Sequence, residues 1–208
     1  MKAITRFFLF LIIGAFAWPF LLVEKKGKKD YRLEGNTIII ANHYSDIDPA
    51  LIYFAFFGQK KITFVTHVGV KKNCWTHLLT WAFDCLYVDY ETINVAFFKD
   101  SVRLLENGGV LCLFPEGVIN PRKYGFFDFS RSYVMLARRA HSKILPLFLY
   151  PQEKMFKKSL VYVGDALGEE RYLAEGSIEN INAYFQSQIM LYNTPFIAGI
   201  TSLEDLPK

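Results

Sequence analysis

Six short apolar runs, at 37–41, 62–66, 85–89, 110–114, 144–149 and 160–163, constrain this chain more than any other feature. Each is too brief for an ordinary helix and is bounded by turn or helix signals, so each reads as a strand. Helical patterns lie between them. One runs over 49–57, with Asp48 as cap, Pro49 in the first turn and Gly58 as stop. A second covers 93–106, with Thr92 as cap, Val95, Phe98, Val102 and Leu105 on one face, and Asn107-Gly108 as stop. A third starts near Ser177 and carries a stripe of Ile178, Ile181, Phe185, Ile189 and Tyr192. Strands alternating with helices imply an α/β fold, a mixed sheet flanked by helices. A length of 208 residues fits one such domain, and no repeat or Pro/Gly/Ser-rich linker marks a second.

The N-terminus has a different character. Residues 7–23, FFLFLIIGAFAWPFLLV, are seventeen positions without a charge, preceded by Lys2 and Arg6 and followed by Lys25, Lys26, Lys28 and Lys29. As a straight helix they reach roughly 25 Å, a little short of the roughly 30 Å hydrocarbon layer, and Pro19 bends them. The expected element is an N-terminal membrane-anchoring helix, shallow or re-entrant, with the lysines at headgroup level. A cleaved signal peptide shares the basic start and the Ala15-Phe16-Ala17 outline, but the apolar run continues through Trp18, Pro19 and Phe20. The division expected is 1–30 as anchor and basic flank and 31–208 as the α/β domain.

The remaining composition excludes more than it suggests. At 52% hydrophobic, the chain is neither disordered nor fibrous. The excess of 24 Lys and Arg over 20 Asp and Glu follows the apolar segment instead of lining a reading motif, so no nucleic-acid partner is expected. Cys74, Cys85 and Cys112 offer no disulfide framework. His67, Cys74 and His77 lack a fourth metal ligand, so no metal is expected.

Chemistry concentrates in TIIIANHYSDIDPAL, residues 37–51, where a strand ends, Asn42, His43, Ser45, Asp46 and Asp48 follow in close succession, and a helix begins. Strand ends of α/β sheets are where sites gather. His43 and Asp48 are placed to fold back on each other, the carboxylate taking the Nδ1 proton and leaving Nε2 as a base. Singly, Asp48 is a helix cap and His43 a structural histidine. The strand at 110–114 ends in a second polar turn, Pro115-Glu116-Gly117, and the two turns converge if their strands are neighbours.

Asn42-His43 with Asp48, followed by Phe114-Pro115-Glu116-Gly117, resembles the glycerolipid acyltransferase family, which includes the bacterial lysophosphatidate acyltransferases. Ile144-Leu145-Pro146-Leu147 is similar to that family's fourth motif, and VYVGDAL at 161–167 to its later Val-x-Ile-Gly-x-Pro strand. The resemblance implies that His43, oriented by Asp48, deprotonates a glycerol hydroxyl that attacks the thioester of acyl-CoA or acyl carrier protein. That thioester is a co-substrate, and no cofactor is implied. The Gly117 amide is an oxyanion-donor candidate. Asn42, Ser45, Glu116, Gly117, Arg122 and Lys123 are the substrate-binding candidates, Glu116 toward the acceptor's glycerol. Aromatic residues Phe54, Phe56 and Phe57, with the anchor, are candidates to border an acyl groove. A cytosolic thioester donor and the basic flank put the domain on the cytoplasmic face of a membrane.

Three stretches depart from the family pattern, one of them Phe129-Ser130-Arg131-Ser132 where the family has Phe-Lys-x-Gly. Tyr90 stands where the second motif has Arg, and Val118-Ile119-Asn120 replaces Thr-Arg-Ser after Glu116-Gly117. Charge-assisted phosphate recognition is thereby weakened unless Arg122, Lys123 or Arg131 supplies it. Glu-Gly-Val-Ile-Asn is closer to tafazzin-like enzymes. The leading expectation is a membrane-associated acyltransferase making phosphatidate from lysophosphatidate. The alternatives are a lysophospholipid acyltransferase or transacylase that remodels phospholipids, and a catalytically degenerate membrane binding protein.

Overall fold

A computed structural model describes residues 22–69, 77, 80–81, 83–89, 94–120, 127–150 and 156–197, the side chains of 191–197 excepted. The seven strands are β1 (Val23–Gly27), β2 (Thr37–Ala41), β3 (Ile62–His67), β4 (Leu86–Val88), β5 (Val110–Leu113), β6 (Lys143–Tyr150) and β7 (Ser159–Val163). The helices are α1 (Asp48–Ala55), α2 (Val95–Glu106), α3 (Ser132–Ala140), α4 (Glu169–Leu173) and α5 (Ile178–Ile197). The strands form one sheet in the order β1-β7-β6-β2-β5-β3-β4. All neighbouring pairs are parallel except β6 and β7, so the sheet is mixed as expected.

All six expected strands form. Central β2 shows why: Ile38, Ile39 and Ile40 are fully buried, and alternate residues feed opposite faces. Ile38 and Ile40 join Leu111, Ile144 and Phe148 under α2, α3 and α5. Ile39 joins Cys112, Leu145 and Val161 under Leu51 and Ile52 of α1. Burying each such side chain contributes roughly 1.5–3 kcal/mol.

The helices depart from expectation in detail. Ile47, not Asp48, is the N-cap of α1, and Asp48 is its first residue. Val95 is exposed, leaving Val102 and Leu105, with Ser101, as the buried face of α2. Thr92 lies outside the described residues. In α5, Ile181, Phe185 and Ile189 are fully buried, as their spacing requires, and Ser177 Oγ accepts from the Asn180 amide at 3.2 Å. Helices α3 and α4 were not expected.

Strand β1 is the largest departure at the N-terminus. Lys25 and Lys26, expected in the basic flank, pair in register with Val161 and Tyr162 of β7. The sheet therefore begins before the boundary expected at residue 31. The apolar residues 7–21 lie outside the described residues, and among the described residues no helix is long and apolar enough to cross a membrane.

Candidate active site

Strands β2 and β5 are parallel neighbours, so the turns that follow them meet at one sheet edge. From there the chain leaves in opposite senses, to α1 on one face and toward α3 on the other. Such a divergence opens a crevice at the carboxyl ends of the strands.

The first turn is built around one carboxylate. Asp48 is fully buried, and its Oδ2 accepts from the Tyr44 amide and, at 2.8 Å, from the Ser45 amide. Its Oδ1 accepts from Ser45 Oγ at 3.3 Å. His43 Nδ1 lies 3.0 Å from Oδ2. An ionised carboxylate can only accept, so Nδ1 carries the proton in the neutral ring and Nε2 keeps its lone pair. The imidazole stacks on Phe114, with centroids 4.0 Å apart and planes 14° from parallel. Ring and tautomer are both fixed.

The second turn locks onto the first. Buried Glu116 accepts from the His43 amide at 3.4 Å through Oε1, and from Asn120 Nδ2 at 2.7 Å and the Phe127 amide at 2.9 Å through Oε2. The Asn120 amide returns to the His43 carbonyl at 2.7 Å. Asn120, also buried, is a site residue that sequence reasoning passed over. Its signal was a polar residue four positions beyond Glu116, noted only as a departure from a family pattern.

The same network engages three further candidate residues. Both ends of the buried Asn42 side chain bond the Leu149 backbone, Nδ2 to the carbonyl at 3.0 Å and Oδ1 from the amide at 2.7 Å, so Asn42 ties the end of β2 to β6. The Gly117 amide donates to the Phe114 carbonyl at 3.0 Å, closing a turn with Gly117 at φ 72°, and Gly117 lines the cavity beside His43. Ser45 spends its hydroxyl and amide on Asp48.

A cavity of about 690 Å³ opens beside His43. Its wall is mainly apolar, from Val65, Val88, Val95, Phe97, Phe98, Leu113, Phe114, Val118, Ile119 and Met135, with Asp46, Asp89 and His67 among its polar members. Such a volume suits a drug-sized or lipid-chain ligand. Phe54, Phe56 and Phe57 do not line it: Phe56 is core, and Phe54 and Phe57 belong to an aromatic group with Tyr53. Arg131 pairs with Glu179 at 2.8 Å, and no Lys or Arg is among the described residues lining the cavity. Tyr90, Arg122 and Lys123 lie outside the described residues. Among the described residues, no group of three or more His, Cys, Asp or Glu could hold a metal ion.

A family model described as Acyltransferase matches residues 22–150, the span that holds both turns. The chain belongs to the acyltransferase family. It is 27% identical over 116 residues to a protein of Mycoplasma pneumoniae named probable 1-acyl-sn-glycerol-3-phosphate acyltransferase, covering 53% of this chain and 42% of that one. It is 22% identical over 138 residues to a 1-acyl-sn-glycerol-3-phosphate acyltransferase of Borreliella burgdorferi, covering 65% of this chain and 54% of that one. The chain thus spans about half the length of the curated relatives it matches. The crystal structure of the 1-acyl-sn-glycerophosphate (LPA) acyltransferase PlsC of Thermotoga maritima superposes with a TM-score of 0.69 at 19% identity. That match covers 95% of this chain and 83% of that one, and shows that the chain shares its fold.

Proposed function

We propose that the protein transfers a fatty acyl group from a thioester, acyl-CoA or acyl carrier protein, to the free hydroxyl of a lysophospholipid. The observation that carries this reading is the His43–Asp48 pair at 3.0 Å beside an apolar-walled cavity. Asp48 holds His43 with Nε2 unprotonated; Nε2 takes the hydroxyl proton as the alkoxide oxygen bonds to the thioester carbon. The C–S bond then breaks, and the imidazolium returns its proton to the leaving thiolate. The products are an ester and a free thiol. A positioned base contributes about 10²–10⁴-fold to such a step.

The names of the Mycoplasma and Borreliella relatives favour 1-acyl-glycerol-3-phosphate as acceptor and phosphatidate as product. The uncharged run at 7–23 supports a membrane-associated enzyme, with the site at the cytoplasmic face where its donor is made. A second reading rests on Val118 and Ile119, which line the cavity where the family pattern has Thr-Arg. They favour an acceptor not held by its phosphate, as in phospholipid remodelling. Acyl transfer in mixed micelles, with both donors against lysophosphatidate and other lysophospholipids, decides between them. Lysophosphatidate preference supports the first reading, and preference for a zwitterionic lysolipid supports the second.

A further inference from the structure

Glu116 is held in part by the strip 127–131, and that strip is gripped by α5, a helix outside the residues the family model matches. Arg131 pairs with Glu179 at 2.8 Å. The Phe129 carbonyl accepts from Asn182 Nδ2 at 2.9 Å, and the Phe127 carbonyl from Gln186 Nε2 at 3.2 Å. Residues 179, 182 and 186 share one helix face, and they meet alternate residues of the strip in antiparallel order. The neighbouring face of α5 buries Ile181, Phe185 and Ile189 in the core, which fixes the rotation of the helix and hence the aim of the three polar side chains. The strip in turn gives its Phe127 amide to Glu116 Oε2 and its Ser130 amide to the Pro115 carbonyl, at 2.9 and 2.8 Å.

We infer that Asn182 and Gln186 are positioning residues: they fix the strip against α5, so that Glu116 is held and, through it, the backbone of His43. The kinetic part of this inference rests on the acyl-transfer reading above. Ser130 also lines the cavity, so the same grip sets one wall of the substrate site. Glu179 contributes less, because its pair with Arg131 is exposed.

The test uses the full chain with Asn182→Asp and Gln186→Glu combined, which keep side-chain shape but remove both N–H donors. Hydrogen exchange of the 127–131 peptide is expected to quicken by about tenfold, and the His43 ring resonance to shift, because the strip opens locally. The maximal rate is expected to fall about tenfold or more with KM for the acyl donor within about twofold, since small misplacements at a reacting centre are costly. Asn182→Leu with Gln186→Leu serves as a second variant if the acidic pair does not fold. A purely structural role predicts a lower melting midpoint with the turnover of the folded fraction unchanged. Unchanged exchange at 127–131, or faster exchange with the His43 resonance and turnover both unmoved, overturns the inference. If the wild type transfers no acyl group, the functional reading fails, and exchange and the His43 resonance alone decide the positioning role.

Discussion

Asp48 illustrates how one side chain can serve structure and, in the proposed reaction, chemistry as well. As a cap it would satisfy the amides of its own helix; instead it turns back and collects two amides, a hydroxyl and an imidazole from the turn before it. Asp48→Asn places an NH2 group among donors. It is expected to lower turnover by about 10²-fold or more and to cost about 1–3 kcal/mol, read from acyl-transfer kinetics and denaturant unfolding. Gly117 sits at φ 72°, so Gly117→Ala strains the turn that aims Glu116. A loss of about 1 kcal/mol, or a melting midpoint lower by about 2–4 °C, is expected. The Cys85 thiol is pushed up to about 12 from 9.0 by burial and then by the Asp84 charge. The folded state therefore holds this proton more tightly than the unfolded chain. Its contribution is complete below about pH 9 and declines as pH rises toward 12. Thermal midpoints measured from pH 8 to 11 should fall more steeply in the wild type than in Cys85→Ser.

Among the elements, those with a continuous apolar run or clear helix-end residues were legible. Strand β2 was plain because TIIIA has no polar residue to confuse it, and α1 was bracketed by Pro49 and by Gly58 at φ 77°. Strand β1 escaped because it is an edge: its charged residues Glu24, Lys25 and Lys26 discourage unwanted pairing and erase the apolar signal. Helix α3 escaped because its N-cap residue, Arg131, makes no side-chain capping bond and it ends on His141 at φ 50°, where glycine is usual. Within the site, the His43–Asp48 pairing was legible from spacing on a strand–turn–helix path. The uses of Asn42 and Gly117 were not, since their partners, Leu149 and Phe114, are set by strand adjacency and turn geometry. The position of β1 yields a deletion test. Removing residues 1–20 leaves β1 on the sheet and should preserve the melting midpoint. Removing 1–30 strips β7 of one of its two neighbours and should lower it by about 5 °C or more, equivalent to roughly 2 kcal/mol.

For the whole molecule, the proposed function divides labour between the sheet edge that holds His43 and the apolar-walled cavity beside it, proposed to take an acyl chain. The apolar N-terminal run is proposed to bring that edge to a lipid surface, so the 1–20 deletion should also abolish sedimentation with phospholipid vesicles while leaving the fold intact. In the proposed reaction His43, held by Asp48, is the base of an acyl transfer. The most direct measurement is transfer of labelled acyl chains from acyl-CoA or acyl carrier protein to lysophosphatidate and other lysophospholipids by the purified wild type and by His43→Ala. Transfer to at least one lysophospholipid is expected, with a reduction of about 10²–10⁴-fold in the folded variant. Equal transfer by both proteins, or none by the wild type with any of these acceptors, contradicts the proposal.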